Sequence, residues 1–144
     1  MNWFECKVKY DKALDSESVK TKTVTETYLV DALSFTEAEK RFTEEITPFM
    51  SGEFLISDIK RLKVSELFFS NNGDADRWFK AKVAFISFDE KTGEEKFTPN
   101  FMLVQAVDFR DALKQLDANM KGTLSDYKII SIVETPILDV YRYE

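Results

Sequence analysis

The sequence contains no histidine, one cysteine, four glycines and three prolines among its 144 residues. The absence of histidine removes the commonest general base and the commonest transition-metal ligand. Cys6 cannot form an intrachain disulfide, and its alternation with Phe4 and Val8 predicts a buried apolar role rather than a nucleophile. The glycines all lie at predicted turns or helix ends, so none builds a phosphate-binding loop. These absences disfavour an enzyme, and we expect no catalytic, cofactor-binding or metal-binding residues.

The chain also lacks a basic surplus and a long apolar run. Its formal net charge is −6, and residues 1–72 and 73–144 each hold 10 basic and 13 acidic residues. This balance disfavours a protein held mainly by phosphate contacts. No segment approaches the roughly 20 apolar residues of a membrane span, and Glu5 and Lys7 interrupt any signal peptide. We therefore expect a soluble cytoplasmic protein, away from membranes, with a core built largely from its 13 phenylalanines.

The most informative feature that is present is an internal repeat. The only two tryptophans begin similar phrases, WFECKV at residues 3–8 and WFKAKV at residues 78–83. A second phrase, A-x-x-F-x-x-A, occurs at residues 32–38 and again at 106–112. A repeat of this length is too long for a stacked solenoid unit. We interpret it as a tandem duplication, with a first repeat at residues 1–70, a joint at 71–77 and a second repeat at 78–144.

The first repeat changes its hydrophobic period along the chain. Alternation at residues 3–10 and 23–32 predicts two strands, joined by a polar hairpin connection from Asp11 to Lys22. Ser34 followed by Glu37 is a capping box that predicts a helix start. An apolar stripe at helical spacing follows. Residues 54–63 then predict a third strand, and residues 64–69 an extended segment of the same repeat. The helical stripe consists of Phe35, Ala38, Phe42 and Ile46.

The second repeat has the same order. Strands are predicted at residues 78–88, 97–106 and 127–134, and Pro99 indicates a sheet edge or a bulge. Asp108 caps the helix between the second and third of these strands, and a terminal extended piece runs through Tyr141. The fold class is therefore α+β, a tandem duplication of a strand–strand–helix–strand(–strand) module. We expect the two copies to pack as one pseudo-symmetric unit in a single globular domain, either as one continuous sheet or face to face.

Two tryptophan–lysine faces are the candidate binding surface. Each first strand places an indole beside ammonium groups on its outward face. Aromatic platforms flanked by lysine can hold single-stranded nucleic acid through stacking and charge. In the alternative interpretation, each tryptophan covers the back of its sheet or the interface between copies, with lysine stems alongside. The acidic total favours this alternative. The residues concerned are Trp3, Lys7, Lys9, Trp78, Lys80 and Lys82.

Carboxylates on the two helices are a second candidate. Acidic residues could hold a magnesium ion, but acidic residues near helix N-termini are also typical of a solvated helix face. We favour the solvated face. The groups are Glu37, Glu44 and Glu45 in the first helix, with Asp108, Asp111 and Asp117 in the second.

Four phrases resemble a known family: MNWFECKV at residues 1–8, YLVDALSFTEAE at 28–39, DRWFK at 76–80 and ETPI at 134–137. The chain is similar over its whole length to an uncharacterised domain-of-unknown-function family of Bacteroidota and their phages and mobile elements. The resemblance implies a gene that travels with phage or mobile-element functions. It implies no reaction and no site residues.

Together these observations predict a non-enzymatic protein-interaction or assembly module with a protein partner. Two alternatives remain: an accessory single-stranded nucleic-acid-binding protein that uses the tryptophan–lysine faces, and a magnesium-dependent enzyme that uses the helix carboxylates.

Overall fold

A computed structural model describes residues 2–13 and 20–143 and shows an α+β protein with two four-stranded sheets and two α-helices. The predicted α+β class is confirmed. The chain divides into a first unit, Met1–Leu62 with Pro136–Glu144, and a second unit, Lys63–Thr135. The strands are β1 Asn2–Ala13, β2 Thr21–Ala32, β3 Phe54–Leu62, β4 Glu66–Phe68, β5 Arg77–Phe88, β6 Glu95–Ala106, β7 Asp126–Glu134 and β8 Ile137–Tyr141; the helices are α1 Phe35–Ile46 and α2 Phe109–Met120.

The first unit is a sheet with strand order β3-β1-β2-β8, packed on α1. Strand β1 is antiparallel to both β2 and β3, whereas β8 is parallel to β2. The Ser34 hydroxyl accepts a hydrogen bond from the Glu37 amide, which confirms the predicted N-cap. Phe35 of the predicted helical stripe is 49% exposed, whereas its other three residues meet the alternating strand residues in one core. Its buried members are Phe4, Cys6, Val8, Val30, Ala32, Ala38, Phe42 and Ile46.

The second unit is a sheet with strand order β4-β6-β5-β7, packed on α2. Strand β5 is antiparallel to β6 and β7, and β4 is parallel to β6. Asp108 caps α2, because its side chain accepts a hydrogen bond from the Asp111 amide, and Gly122 after the helix takes a positive φ of 85°. The buried core residues are Phe79, Ala81, Val83, Met102, Val104, Ala106, Ala112, Leu116 and Met120.

The first hairpin is longer than predicted. Residues 11–13 and 21–22 belong to β1 and β2, so the predicted Asp11–Lys22 connection is wrong at both ends. Backbone pairing continues through polar residues, as between Asp11 and Thr23, whose hydroxyl donates to the Asp11 carboxylate at 2.7 Å. Such pairing needs no apolar face. Of the rest of that predicted connection, residues 14–19 lie outside the described residues.

The two terminal extended pieces pair with strands far away in the sequence. Strand β4, placed by prediction in the first repeat, is parallel to β6 in the second unit. Strand β8, from the end of the second repeat, is parallel to β2 in the first unit. The units therefore differ from the predicted boundaries at 1–70, 71–77 and 78–144, because strand pairing assigns residues 63–77 and 136–144 differently. Periodicity predicts a strand but not its neighbour.

The pairing of each central strand, β1 or β5, with its edge neighbour has an irregularity at the same place in the repeated phrase. Opposite Lys7 and Val8, strand β3 has Ser57 as an extra residue, and opposite Lys82 and Val83, strand β7 has Ile130. A bulge changes the local direction of the side chains, and it often re-orients one side chain or ends the strand pairing. The bulge at Ile130 contributes to the site described next.

Candidate functional site

An open groove on the second unit combines an apolar floor with a lysine rim. Its volume is about 390 Å³, and we call it the lysine-rimmed groove. It crosses three neighbouring strands, β7, β5 and β6, on the face opposite α2. The described residues that line it are Lys82, Ala84, Phe97, Pro99, Lys128 and Ile130. Two of these are lysines and none is acidic, in a chain whose net charge is −6.

The depression exists because small and large side chains alternate across the strands. Ala84 is flanked by Pro99 on β6 and by Lys128 on β7, and its methyl group leaves space between them. The flanking apolar side chains are accessible, since Phe97 is 52% exposed and Ile130 is 47% exposed. Exposed apolar side chains gathered around a concave surface are typical of a binding site rather than of an ordinary surface.

The same ladder positions of the first unit are mostly polar, with Leu55 as the apolar exception. Lys9 takes the place of Ala84, because Lys9 is flanked by Thr25 on β2 and by Leu55 on β3. Thr23 likewise takes the place of Phe97. A smaller cavity of about 270 Å³ is present there, and Asp11 and Glu53 contribute to its lining. Since both residue sets fit the same sheet geometry, the apolar floor of the second unit is not required by the fold.

Strand addition beside the groove is blocked by Pro99. The Phe101 carbonyl faces the β4 side, where it accepts a hydrogen bond from the Ser65 amide at 2.8 Å. Backbone groups alternate along a strand, so Pro99 turns its own nitrogen towards that same side, where β4 pairs only with residues 102–104. Proline has no N–H to donate there, which is a common way to protect a sheet edge. The prediction of an edge at Pro99 is consistent with this placement.

The tryptophan–lysine faces are only partly as predicted. Trp78 is 2% exposed, and its ring packs edge-on against Phe69 at 5.2 Å, so no base can stack on it. The prediction that Trp78 is a surface-binding residue is therefore wrong. The Lys80 and Lys82 ammonium groups instead lie over the Phe101 ring, at 4.7 and 5.9 Å from its centroid.

In the first unit the predicted residues do not converge on an aromatic platform. Trp3 and Lys7 are half-buried and Lys9 is exposed. Lys9 lines the smaller cavity with the acidic residues Asp11 and Glu53 and with the aromatic residues Tyr10 and Phe54, and neither Trp3 nor Lys7 contributes to that lining. Of the six predicted residues, only Lys82 lines the lysine-rimmed groove.

Five groove residues escaped the sequence-based site prediction: Ala84, Phe97, Pro99, Lys128 and Ile130. One signal was available in strand β7. Tyr127 and Ile129 alternate inward, but the next inward residue is Ile132, three positions later. A break in the two-residue period indicates a bulge, and it leaves Ile130 outside the core.

A larger cavity of about 550 Å³ in the first unit is a weaker candidate. It is lined by Arg41, Glu45 and residues 140–143. The Arg41 guanidinium already pairs with the Asp31 carboxylate at 2.6 Å and lies 5.2 Å from the centroid of the Tyr143 ring. Asp31 also accepts a hydrogen bond from the Tyr143 amide at 2.7 Å. These contacts fasten the C-terminal segment to the unit.

The Cys6 thiol is buried, and two carboxylates at the start of α2 accept hydrogen bonds from backbone amides. Burial, with Glu5 and Asp58 nearby, raises the pKa of the Cys6 thiol to about 12, so the thiol is protonated near neutral pH. Hydrogen bonds from the Val107 amide and from Gln115 lower the pKa of Asp111. Asp108 is engaged as the cap of α2. Within residues 2–13 and 20–143, no group of three or more acidic or cysteine side chains is placed to hold a metal ion.

The fold is that of an α+β protein with two helix-covered sheets, and its second unit carries the apolar, lysine-rimmed groove. The chain matches the model of the family "Domain of unknown function (DUF4494)" over residues 2–143 and belongs to that family. The predicted membership of an uncharacterised domain family is thereby confirmed. No match is found among curated proteins. In the part of the chain that the structure describes, neither helix has the length and apolar character needed to cross a membrane.

Proposed function

We propose that this protein is a non-enzymatic protein-interaction module of the cytoplasm, and that the lysine-rimmed groove is its interaction surface. The observation that carries the proposal is the contrast between equivalent positions. Where the first unit has Lys9, Thr23 and Thr25, the second has Ala84, Phe97 and Pro99 around an open cavity. Apolar side chains that the fold does not need, and that water can reach, are best explained by a partner.

An internal duplication is part of the same proposal. Both sheets have a central antiparallel hairpin, a bulge at the same place and a parallel strand beyond β2 or β6. Both helices begin after a side-chain cap and carry buried residues at corresponding positions. Two copies of one module allow one copy to keep a polar surface while the other acquires a binding surface.

The test is a comparison of proteins cross-linked to the tagged chain in its native cells. Ile130→Asp places a charge on the groove floor, and Leu55→Asp is the matched control because Leu55 is also exposed on an edge strand. We expect a reproducible partner with the wild type and the control, and its loss with Ile130→Asp. A partner set that is insensitive to Ile130→Asp would remove the groove from the proposal.

A second candidate is accessory binding of single-stranded nucleic acid. It is supported by the pair Lys80 and Lys82 over the Phe101 ring and by the exposed Phe97. The burial of Trp78 and the net charge of −6 weigh against it. Salt-sensitive binding of oligonucleotides, abolished by Phe97→Ala, is the result that would favour this candidate.

The resemblance to phage and mobile-element proteins leads to one further proposal, that the partner belongs to a phage-derived assembly. The genes beside this one test it. Recurrent neighbours with replication, packaging or structural roles would support the proposal, and unrelated metabolic neighbours would contradict it.

A further inference from the structure

The chemistry of the partner can be inferred from the groove itself, and this step rests on the proposed function. The floor presents the phenyl ring of Phe97, the ring of Pro99 and the side chain of Ile130. Such a floor binds a large apolar side chain, which gains roughly 25 cal/mol for each square ångström of apolar surface removed from water. The apolar floor therefore supplies affinity without selecting a sequence.

The two lysines of the rim, Lys82 and Lys128, determine which sequences the groove can bind. Lys82 lies two residues before Ala84 on β5, and Lys128 pairs with Ala84 from β7, so the two lysines are diagonal neighbours on one face. Diagonal positions lie about 7–8 Å apart in a regular ladder; here the bulge at Ile130 lies between the two lysines and alters that spacing, and the long flexible lysine stems can accommodate the difference. In an extended chain, residues i and i+2 project from the same face at a spacing of about 7 Å. Two carboxylates at such positions match the two ammonium groups.

The geometry points to an extended acidic segment of a partner protein, with two carboxylates on one face beside a large apolar or aromatic side chain. The carboxylates pair with Lys82 and Lys128, and the apolar side chain occupies the space above Ala84 between Phe97 and Ile130. The segment binds through its side chains, because Pro99 denies it a continuous backbone ladder along β6.

Charge complementarity favours this occupant over a nucleic acid. A phosphate backbone carries regularly spaced charges and is bound by several cationic groups along a track. The described lining of the groove offers only two ammonium groups, which is fewer than such a track needs. The floor is also mostly aliphatic, whereas sequence-tolerant stacking needs aromatic platforms.

The experiment measures the binding of a fluorescein-labelled peptide of about nine residues, in which every second position carries Glu, Glu and Phe in turn and Ser fills the positions between, so that two carboxylates stand at i and i+2 beside a phenyl ring. Three comparison probes complete the set: the same peptide with Gln for Glu, the same peptide with Ala for Phe, and an oligo(dT) of similar length. Fluorescence anisotropy is recorded with the wild-type protein and with Lys82→Glu, Lys128→Glu and Lys121→Glu. The last variant makes the same charge change after α2, outside the groove.

We expect binding of the Glu/Phe peptide only. Each of Lys82→Glu and Lys128→Glu should raise its Kd by about tenfold or more, since each replaces an attraction with a repulsion, whereas Lys121→Glu should leave the Kd within about twofold. Loss of binding on raising the salt concentration from about 0.05 to 0.5 M is expected for the charged contribution.

Three results would overturn the inference: equal binding of the Gln/Phe peptide, preferential binding of oligo(dT), or self-association through the groove. Self-association would appear as a concentration-dependent mass that Lys128→Glu abolishes, and it would identify a second copy of this chain as the occupant. If the peptide fails to bind but Ile130→Asp still removes the cellular partner, the partner chemistry is wrong and the proposed function stands.

Discussion

Cys6 and Ala81 show how one buried position can differ between the two units without changing the local fold. Both are fully buried on the inner face of a central strand, and both lie between core residues of the same type. Free cysteine behaves as a small apolar residue in such a place. Burial, reinforced by Glu5 and Asp58, raises the pKa of the Cys6 thiol to about 12 from 9.0.

This shift predicts a stability difference that depends on pH. The folded chain keeps the thiol proton while the unfolded chain releases it above about pH 9, so the contribution of Cys6 is complete below pH 9 and declines as the pH rises towards 12. Cys6→Ala should cost about 1 kcal/mol of unfolding free energy near neutral pH, and less at alkaline pH.

Urea unfolding of both proteins at several pH values measures this difference. The half-buried tyrosines Tyr28 and Tyr141 also have raised pKa values, but they are common to both proteins and cancel in the comparison. Rapid reaction of the native thiol with a thiol reagent at neutral pH would be inconsistent with the burial of Cys6.

At the scale of elements, β8 completes a sheet whose other strands lie near the start of the chain. Ile137 is buried, and the Tyr141 ring stacks on Tyr28 at 5.8 Å, next to the core that α1 covers. Tyr143 then contacts Arg41 and Asp31. The sheet of the first unit is therefore completed by β8, which begins about 75 residues after the end of β3.

We predict that Tyr141→Ala destabilises the protein by about 2 kcal/mol, because it removes a half-buried ring from the edge of a packed core. Amide hydrogen exchange at residues 27–30, which pair with β8, should accelerate in the variant. Leu138→Ala is the matched control from the same strand, and its exposed side chain should change the stability by about 0.5 kcal/mol or less. Equal effects of the two substitutions would argue against this role for β8.

At the scale of the whole molecule, the two units show that the same arrangement of sheet and helix can present different side chains at corresponding ladder positions. Threonines at positions 23 and 25 of the first unit correspond to Phe97 and Pro99 in the second. Threonine has a high strand propensity and proline has none. The groove residues are thus tolerated by the fold rather than selected for it.

The double substitution Phe97→Thr and Pro99→Thr, which copies the first unit, should therefore keep the fold and shift the unfolding free energy by no more than about 1 kcal/mol. It should abolish binding of the Glu/Phe peptide. Circular dichroism and anisotropy together measure both effects. Leu124→Ala, which removes a fully exposed apolar side chain elsewhere in the second unit, should leave binding unchanged. A severe loss of stability in the double variant would mean that the groove residues serve the fold.

The sequence by itself determined the elements and their inner faces. Alternation placed Phe4, Cys6 and Val8 on one side of β1, and helical spacing placed Ala38, Phe42 and Ile46 on one side of α1, because these periods follow from local backbone geometry. The caps at Ser34 and Asp108 were equally local.

Only the tertiary structure decided which strands pair, which indole is buried and where the groove lies. Strand β8 meets β2, Trp78 meets Phe69, and the groove joins residues of β5, β6 and β7. Each of these outcomes depends on contacts between residues distant in the chain, and on competition between partners that share the same pattern. Periodicity records which face of a residue's own element is apolar; it carries no information about which other element will cover that face.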